Sequence, residues 1–273
     1  MKLNLVIALP CEARPLIKHF RLRNHHKKSA FKLYSNDDGI SLIISGAGKF
    51  NATAATALLH GLNYPETQAA WLNLGIAGNS SRDVGDAVLA NKVIDWTNHK
   101  QWYPTFVFPP PCKTDLLITV EEPETSYQEQ GLYDMEASGF FHAASRFSLI
   151  ELVHSLKVVS DNQTQSTDQI TKDFASKLIE NQLSTIACIS DELLSLANEL
   201  SSIYRQPRHI STFMKNWHFT HYQRHQLDAL LRRWETLYPD LDLWNGQLST
   251  LKNSEDVLNY LESRLMSVAD YAS

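Results

Sequence analysis

The chain has 273 residues and a mass of 31.0 kDa, a size that suits one large domain or a domain of about 200 residues with a smaller appendage. Its composition, 43% hydrophobic and 20% charged, is that of a globular protein and excludes a wholly disordered chain. The net charge of -5 argues against a surface that binds nucleic acid or an anionic membrane as a whole. The cysteines are scattered, at Cys11, Cys112 and Cys188, which argues against a disulfide framework and predicts a cytoplasmic protein.

Five apolar runs predict the strands of an α/β sheet. They comprise residues 3–9, 41–45, 69–74, 87–93 and 152–160. The first run is too short to cross a bilayer and is bounded by Pro10, so we expect a buried strand and no membrane partner. Glycine-containing segments, residues 46–48 and 75–78, follow the second and third runs. Strand, glycine loop and helix in alternation predict a layered α/β fold.

Helical segments alternate with these strands. They comprise residues 13–19, 51–62, 136–146 and a longer region that begins at Thr167 or Asp168, breaks near Leu183 and ends at about Tyr204. The aromatic and proline-rich segment 96–123 predicts a long loop or irregular edge structure. Pro207 marks a boundary, so we predict two domains, residues 1–204 and 205–273.

The residues after Pro207 predict a helical extension of a different character. Residues 213–234 fit one or two amphipathic helices. Their apolar stripe comprises Leu227, Leu230, Leu231 and Trp234. Basic and aromatic residues are interleaved here, which leaves a nucleic-acid contact open beside a plain helical cap docked on the α/β domain. His218, His221 and His225 share a helix face, but a metal site needs a further ligand, and we predict no metal.

Three acidic residues stand where an α/β sheet binds ligands. Glu12 follows the first predicted strand, Asp161 follows the last one, and Glu136 begins a predicted helix. Ligands of open α/β sheets lie outside the carboxyl ends of the strands, so Glu12 and Asp161 are expected to face one crevice. Taken singly, an acid after a strand is more often a helix cap or a solvated turn than a catalytic group.

Four segments, taken together and in this order, resemble the nucleoside phosphorylase/nucleosidase superfamily, and most closely its methylthioadenosine/S-adenosylhomocysteine nucleosidase branch. They are residues 5–12 (LVIALPCE), 45–52 (SGAGKFNA), 73–78 (NLGIAG) with 84–88 (VGDAV), and 133–137 (YDMEA) with 159–162 (VSDN). The resemblance implies a three-layer nucleoside phosphorylase-like α/β fold over residues 1–204, with a central twisted mixed sheet flanked by helices. Residues 205–273 have no counterpart in it and are expected to form an all-α extension.

The resemblance also implies a reaction and the residues that carry it. Cleavage of the N-ribosidic bond of a purine nucleoside passes through a ribosyl cation, and Asp161 aligns with the general acid that protonates the departing base. Glu12 aligns with the residue that activates the attacking water, and Glu136 with the acid that binds the ribose 2′- and 3′-hydroxyls. Further substrate-binding residues implied by the resemblance are Met135, Phe50, Ala77, Gly78 and Ser160.

Hydrolysis and phosphorolysis are the two forms of this reaction, and the sequence favours hydrolysis. Glu12 suits a water nucleophile and repels phosphate, whereas Arg14 and Gly46 would bind phosphate in a phosphorylase. The resemblance implies no cofactor, with phosphate as a co-substrate only in the phosphorylase. It implies a small-molecule nucleoside as partner, and a homodimer as an alternative to a monomer. The competing hypothesis is a non-catalytic module that binds a nucleoside or a nucleic acid.

The chain departs from the family pattern at several positions. Ile76 stands where a small hydroxyl residue is usual, and Lys157 stands where the nucleosidases usually carry arginine. Asp134 replaces the first glutamate of Glu-Met-Glu. The stretch between Gly78 and Met135 is far shorter than in the family and lacks the part that holds the purine. The aromatic residues that could replace that part, or pack as a satellite core, are Trp102, Tyr103, Phe106 and Phe108.

Overall fold

The structure is a computed structural model. It describes residues 2–24, 29–63, 69–124, 127, 129–163, 170–204, 206–239, 243 and 248–269. The chain divides into two units, Met1–Tyr204 and Arg205–Ser273. Each unit has its own buried apolar core.

The described part of the first unit contains ten strands and five helices. The strands are β1 Leu3–Ile7, β2 Arg23–Asn24, β3 Lys32–Ser35, β4 Ile40–Ile44, β5 Ala70–Asn79, β6 Ala87–Asp95, β7 Gln101–Trp102, β8 Lys113–Thr119, β9 Leu132–Asp134 and β10 Val153–Asp161. The helices are α1 Pro10–His19, α2 Lys49–Asn63, α3 Ala137–Ala144, α4 Lys172–Asn181 and α5 Leu183–Tyr204.

The strands form one mixed sheet that closes on itself at one side. The order is β10-β6-β8-β9-β5-β1-β4-β3-β2, with β7 paired to β6. The central strand β1 runs parallel to both β4 and β5. Strand β5 pairs with β10 as well as with β9, so β5, β10, β6, β8 and β9 form a closed ring.

Helices cover the sheet on both faces. Apolar residues of α1, α4 and α5, such as Leu16, Ile179 and Ile189, share one core cluster with one face of the sheet. Apolar residues of α2 and α3, such as Leu59 and Phe140, share a second cluster with the opposite face. Two apolar faces on a sheet need two helical layers to exclude water from them. The predicted fold class, three layers around a central mixed sheet, is therefore confirmed.

Two local predictions are wrong and one falls partly outside the described residues. The segment 96–123 is not a loop throughout, because its part Lys113–Thr119 forms β8 and pairs with β6 and β9. Residues 75–78 are not a loop either, since they continue β5, which is paired with β10 throughout this range and with β9 at Gly78. Thr167 and Asp168, the predicted starts of the late helical region, lie outside the described residues. The described α4 is capped by Thr171, which accepts a hydrogen bond from the N–H of Phe174 at 3.1 Å.

Helices α2 and α3 approach each other so closely that only glycine fits at one position. A Cβ atom on Gly139 of α3 would lie 1.9 Å from the carbonyl oxygen of Lys49 at the start of α2. We expect Gly139→Ala to lower the free energy of unfolding by about 3 kcal/mol, because the backbones of both helices must shift. Chemical denaturation measures this loss.

Gly61, near the end of α2, is the matched control, because nothing lies within 4 Å of its added Cβ atom. Gly61→Ala is expected to raise the free energy of unfolding by about 0.5–1 kcal/mol through helix propensity alone. Equal effects of the two substitutions would contradict the close approach of α2 and α3.

The described part of the second unit is helical, in agreement with the predicted all-α extension. Its described helices are α6 Ile210–Asn216, α7 His221–Leu237 and α8 Ser254–Ala269. Residues 213–234 thus include parts of two helices separated by residues 217–220, and Thr220 caps the second helix in a capping box with Gln223. Of the predicted apolar stripe, Leu227, Leu231 and Trp234 are buried, and Leu230 packs partly against them.

Among the described residues, no three His, Cys, Asp or Glu side chains are grouped as a metal ion would require, the histidines of α7 included. Within the same part of the chain, every helix is too short or too polar to cross a membrane.

Candidate functional site

A cavity of about 340 Å³ opens beside the carboxyl ends of β1 and β10. It is lined by seven residues of the predicted site, Glu12, Ala77, Gly78, Met135, Glu136, Ser160 and Asp161. Both β1 and β10 run parallel to β5, which brings the residues that follow each strand to the same end of the sheet. The structure therefore brings the three acids of the sequence analysis into the wall of one cavity.

Glu12 is held by backbone N–H groups from two directions. It lies in the first turn of α1, which begins at Pro10, and its Oε2 accepts a hydrogen bond from the N–H of Leu9 at 2.9 Å. Its Oε1 accepts one from the N–H of Ile76 in β5 at 2.9 Å. Burial raises the pKa of Glu12 to about 7, against the lowering effects of the Ile76 N–H and of the charge on Lys157. A carboxyl group with this pKa changes its charge near neutral pH, as suits a general base.

Glu136 stands directly before α3 and faces the glycine segment that precedes α2. Its Oε1 accepts a hydrogen bond from the N–H of Gly48 at 2.9 Å. Burial raises the pKa of Glu136, with the charge of Lys157 lowering it and that of Asp134 raising it. The carboxylate is thus anchored through one oxygen in the cavity wall, where it can accept hydrogen bonds from a bound molecule.

Asp161 ends β10 and receives two hydroxyl groups. Ser160 donates to its Oδ1 at 2.5 Å, and Tyr127 donates to its Oδ2 at 2.5 Å. Tyr127 is buried next to Tyr133, with their ring centroids 5.8 Å apart in an edge-to-face arrangement. The sequence analysis missed Tyr127, because it lies in a polar stretch with neither a helix nor a strand pattern. Tyr127 comes close to Asp161 only through the tertiary fold.

The two charged departures from the family pattern form one buried ion pair. The Nζ of Lys157 lies 2.8 Å from Oδ2 of Asp134, and these side chains are 1% and 0% exposed. Asp134 also accepts hydrogen bonds from the hydroxyl of Thr119 and from the N–H of Ala137, each at 2.8 Å. The carboxylate of Asp134 therefore joins β8, β9, α3 and β10 at one point.

The ammonium group of Lys157 also acts on the acids of the cavity. Burial works to lower the pKa of Lys157, but the charges of Asp134 and Glu136 outweigh it and raise the pKa, so the group is a cation at neutral pH. The same charge lowers the pKa of Glu12 and of Glu136. Lys157 therefore limits the extent to which burial raises the pKa of those two carboxyl groups.

Three residues of the predicted site do not line the cavity. Phe50 is the second residue of α2; its ring is 80% exposed and lines a different cavity, of about 490 Å³. Arg14 pairs with Asp173 of α4 at 3.0 Å. The N–H of Gly46 donates to the carbonyl of Ala8 at 3.0 Å, so this glycine serves the backbone connection after β4.

The aromatic residues considered as a wall for the purine also lie elsewhere. Trp102 lines the larger cavity, and Tyr103 is exposed. Phe106 and Phe108 pack on the ring of His154, with centroid distances of 5.5 and 5.6 Å. They therefore pack in the main core of the sheet, which agrees with a packing role and not with a wall for the purine.

Comparison with known proteins identifies the fold. No protein-family model matches the chain, and no curated protein matches it by sequence. Among solved structures it is similar to the 5′-methylthioadenosine nucleosidase of Arabidopsis thaliana, at 18% identity and a TM-score of 0.58, over 72% of this chain and 96% of that chain.

Two further solved structures are similar to the chain. One is the 5′-methylthioadenosine/S-adenosylhomocysteine nucleosidase of S. pneumoniae with the transition-state inhibitor MT-ImmA, at 16% identity and a TM-score of 0.53, over 68% of this chain and 96% of that chain. The other is the futalosine hydrolase of Helicobacter pylori, at 14% identity and a TM-score of 0.52, over 70% of this chain and 98% of that chain. The chain therefore shares the fold of these three solved structures, which is the kind of fold that its four motifs led us to expect.

Proposed function

We propose that this chain is a purine nucleosidase-like N-glycosidase that cleaves an N-ribosidic bond with water. The observation that carries the proposal is that three buried carboxyl groups, those of Glu12, Glu136 and Asp161, line one cavity. Burial of several acids around an open cavity costs stability, and a purely structural site would avoid it. Acids with perturbed pKa values in a cleft are typical of catalytic sites, and Glu12 and Glu136 both have raised values.

Each acid has a separate task in the proposed reaction. Asp161 gives its proton to N7 of the purine while the glycosidic bond breaks, so the base leaves as a neutral molecule with the bonding electrons. Glu136 accepts hydrogen bonds from the ribose hydroxyls, and its negative charge stabilises the ribosyl cation. Glu12 takes a proton from the water whose oxygen bonds to C1′. Asp161 ends ionised and Glu12 protonated, and proton exchange with solvent restores the starting state.

The walls of the cavity favour water over phosphate as the nucleophile. The charge of Glu12 repels a phosphate anion. Arg14 is paired with an acid on an exposed helix surface, and the N–H of Gly46 is used within the backbone. Ile76, which lacks the expected hydroxyl, contributes its N–H to Glu12. Any residue except proline can supply that N–H, so the loss of the hydroxyl leaves the support of the proposed base intact.

We propose nucleosides of the methylthioadenosine or adenosylhomocysteine type as the substrate class. The proteins of similar fold are nucleosidases of these compounds and a futalosine hydrolase. Val120, Tyr133 and Met135 supply an apolar wall to the cavity, which suits a flat base and the carbon face of a ribose.

Incubation of the purified chain with candidate nucleosides tests the proposal. The panel is methylthioadenosine, adenosylhomocysteine, adenosine, inosine and futalosine, each with and without phosphate, with the free base measured chromatographically. We expect release of base from at least one of them without phosphate. Strict dependence on phosphate would assign a phosphorylase instead. No release from any of them would contradict both enzyme assignments.

The pKa of Glu12 predicts how activity depends on pH. The proposed base must be ionised to accept a proton, and its pKa is raised to about 7, so kcat should rise with pH through about pH 7. A pH profile from about pH 5 to about pH 9 measures this limb. In Glu12→Gln the residual activity should no longer rise with pH through about pH 7, because glutamine does not titrate. An unchanged limb in that variant would assign it to another group.

A non-catalytic nucleoside-binding module is the second candidate, and one contact favours it. The hydroxyl of Tyr127 already stands at Oδ2 of Asp161, the group that would have to protonate the base. This candidate predicts that a nucleoside binds in calorimetry while no base is released. Release of base in the same assay would exclude it.

A further inference from the structure

Tyr127 forms a hydrogen bond with the proposed catalytic acid. Its hydroxyl donates to Oδ2 of Asp161, while Ser160 donates to Oδ1. Both oxygens of the carboxyl group are thus acceptors of a hydroxyl proton. The oxygen that would face the base is therefore already engaged by a hydroxyl group. A general acid must instead carry a proton on an oxygen that faces the base.

The contact between Tyr127 and Asp161 depends on two unusual features of the backbone. Tyr127 has a φ of +47°, a left-handed conformation that is uncommon for a bulky residue and is strained. Gly78, which lines the cavity, has no side chain to separate the two groups. A Cβ atom on Gly78 would lie 2.8 Å from Oδ2 of Asp161 and 3.1 Å from the hydroxyl oxygen of Tyr127.

The hydroxyls of Ser160 and Tyr127 differ in how far they can move away from Asp161. Ser160 is the preceding residue, and its short side chain is fixed by β10. Tyr127 comes from a distant stretch of the chain, and rotation of its side chain alone would move its hydroxyl away from Oδ2. The hydroxyl of Tyr127 lies one hydrogen-bond length from Oδ2 of Asp161. The nitrogen of a departing base must lie at the same distance from Asp161 to accept its proton.

We propose that Tyr127 sets the affinity and the specificity of the site by competing with the leaving group for Asp161. This inference rests on the proposed function, because it takes Asp161 as the acid that meets the base. Only a leaving group that bonds to Asp161 at least as well as a phenol does displaces Tyr127. The site then selects bases with a suitably placed ring nitrogen and rejects molecules that merely fit the apolar wall.

Tyr127→Phe tests the competition, because it removes the hydroxyl and keeps the ring that packs on Tyr133. The dissociation constants of adenine and of MT-ImmA are measured by calorimetry, and KM and kcat with the best nucleoside of the panel. We expect the variant to bind both probes about 10-fold more tightly, the equivalent of about 1.4 kcal/mol, and to show a lower KM without a higher kcat. A lower kcat with unchanged affinity would make Tyr127 a permanent partner of the acid and overturn the proposal.

Tyr103→Phe is the matched control, since it removes a phenolic hydroxyl from an exposed tyrosine that does not line the cavity. That hydroxyl bonds to Oε1 of Gln101 and not to Asp161, so the affinity for both probes should equal that of wild type. Equal affinities of wild type, Tyr127→Phe and Tyr103→Phe in an active enzyme would overturn the role of Tyr127 alone. If neither wild type nor Tyr127→Phe binds the probes or releases base, the proposed function itself is wrong.

Discussion

Asp161→Asn is expected to lower kcat by about 10²- to 10⁴-fold, the usual contribution of a positioned general acid. Asparagine has nearly the same shape as aspartate, and its amide oxygen can still accept the hydroxyl of Ser160 or of Tyr127, so the local packing is retained. What it lacks is a proton to give to the purine. The measurement is the steady-state rate of base release from the best substrate of the panel, together with the thermal midpoint as a check on folding.

Asp173→Asn supplies the control for this loss. Asp173 carries the same functional group, but its side chain is 90% exposed and pairs with Arg14 away from the cavity. We expect its activity to equal that of wild type. Comparable rates for wild type, Asp173→Asn and Asp161→Asn would remove Asp161 from the mechanism, whatever the cavity looks like.

Lys157→Met is expected to lower the free energy of unfolding by about 3–5 kcal/mol, the usual cost of removing one partner of a buried pair. The substitution leaves the carboxylate of Asp134 buried without its counter-charge. It also removes the cation that lowers the pKa of Glu12 and of Glu136, so the pKa of both should rise further. The acidic limb of the pH profile should therefore move to higher pH in any folded fraction.

Two further variants separate this explanation from a simple packing defect. The double variant Lys157→Met/Asp134→Asn should lose less free energy of unfolding than Lys157→Met alone, because no uncompensated charge then remains buried. Lys113→Met removes a lysine of the same length from an exposed pair with Asp86 and should cost less than about 1 kcal/mol. Equal losses of unfolding free energy for Lys157→Met and Lys113→Met would show that the buried pair contributes no more to stability than the exposed one.

The sequence predicted the parts of the site that follow mainly apolar runs. Residues 3–9 are apolar apart from Asn4, and the segment 152–160 is rich in leucine and valine, so the buried strands and the acids beside their ends could be predicted. The ordered motifs then supplied Glu136, which stands at the start of a short helix. The helical region to Tyr204 was also predicted, and its break near Leu183 agrees with the boundary between α4 and α5, whereas the cap at Thr171 was not predicted.

The missed parts depend on contacts between distant segments. Strand β9 has only three residues, and it exists because it pairs with β5 and β8 in the closed ring. Phe50 was expected in the cavity because it adjoins the glycine segment, but α2 begins at Lys49 and the helix turns its ring outward. The contact of Tyr127 with Asp161 has no local signal, since a tyrosine in a polar stretch is ordinary in any sequence.

A crystal structure of the chain with MT-ImmA tests most directly whether the three acids form one nucleoside site. We expect the ribose hydroxyls on Glu136, the base on Asp161 with the hydroxyl of Tyr127 displaced, and an ordered water on Glu12. An inhibitor bound at any other surface, or a cavity that stays closed to it at saturating concentration, would show that the three acids do not form a nucleoside site.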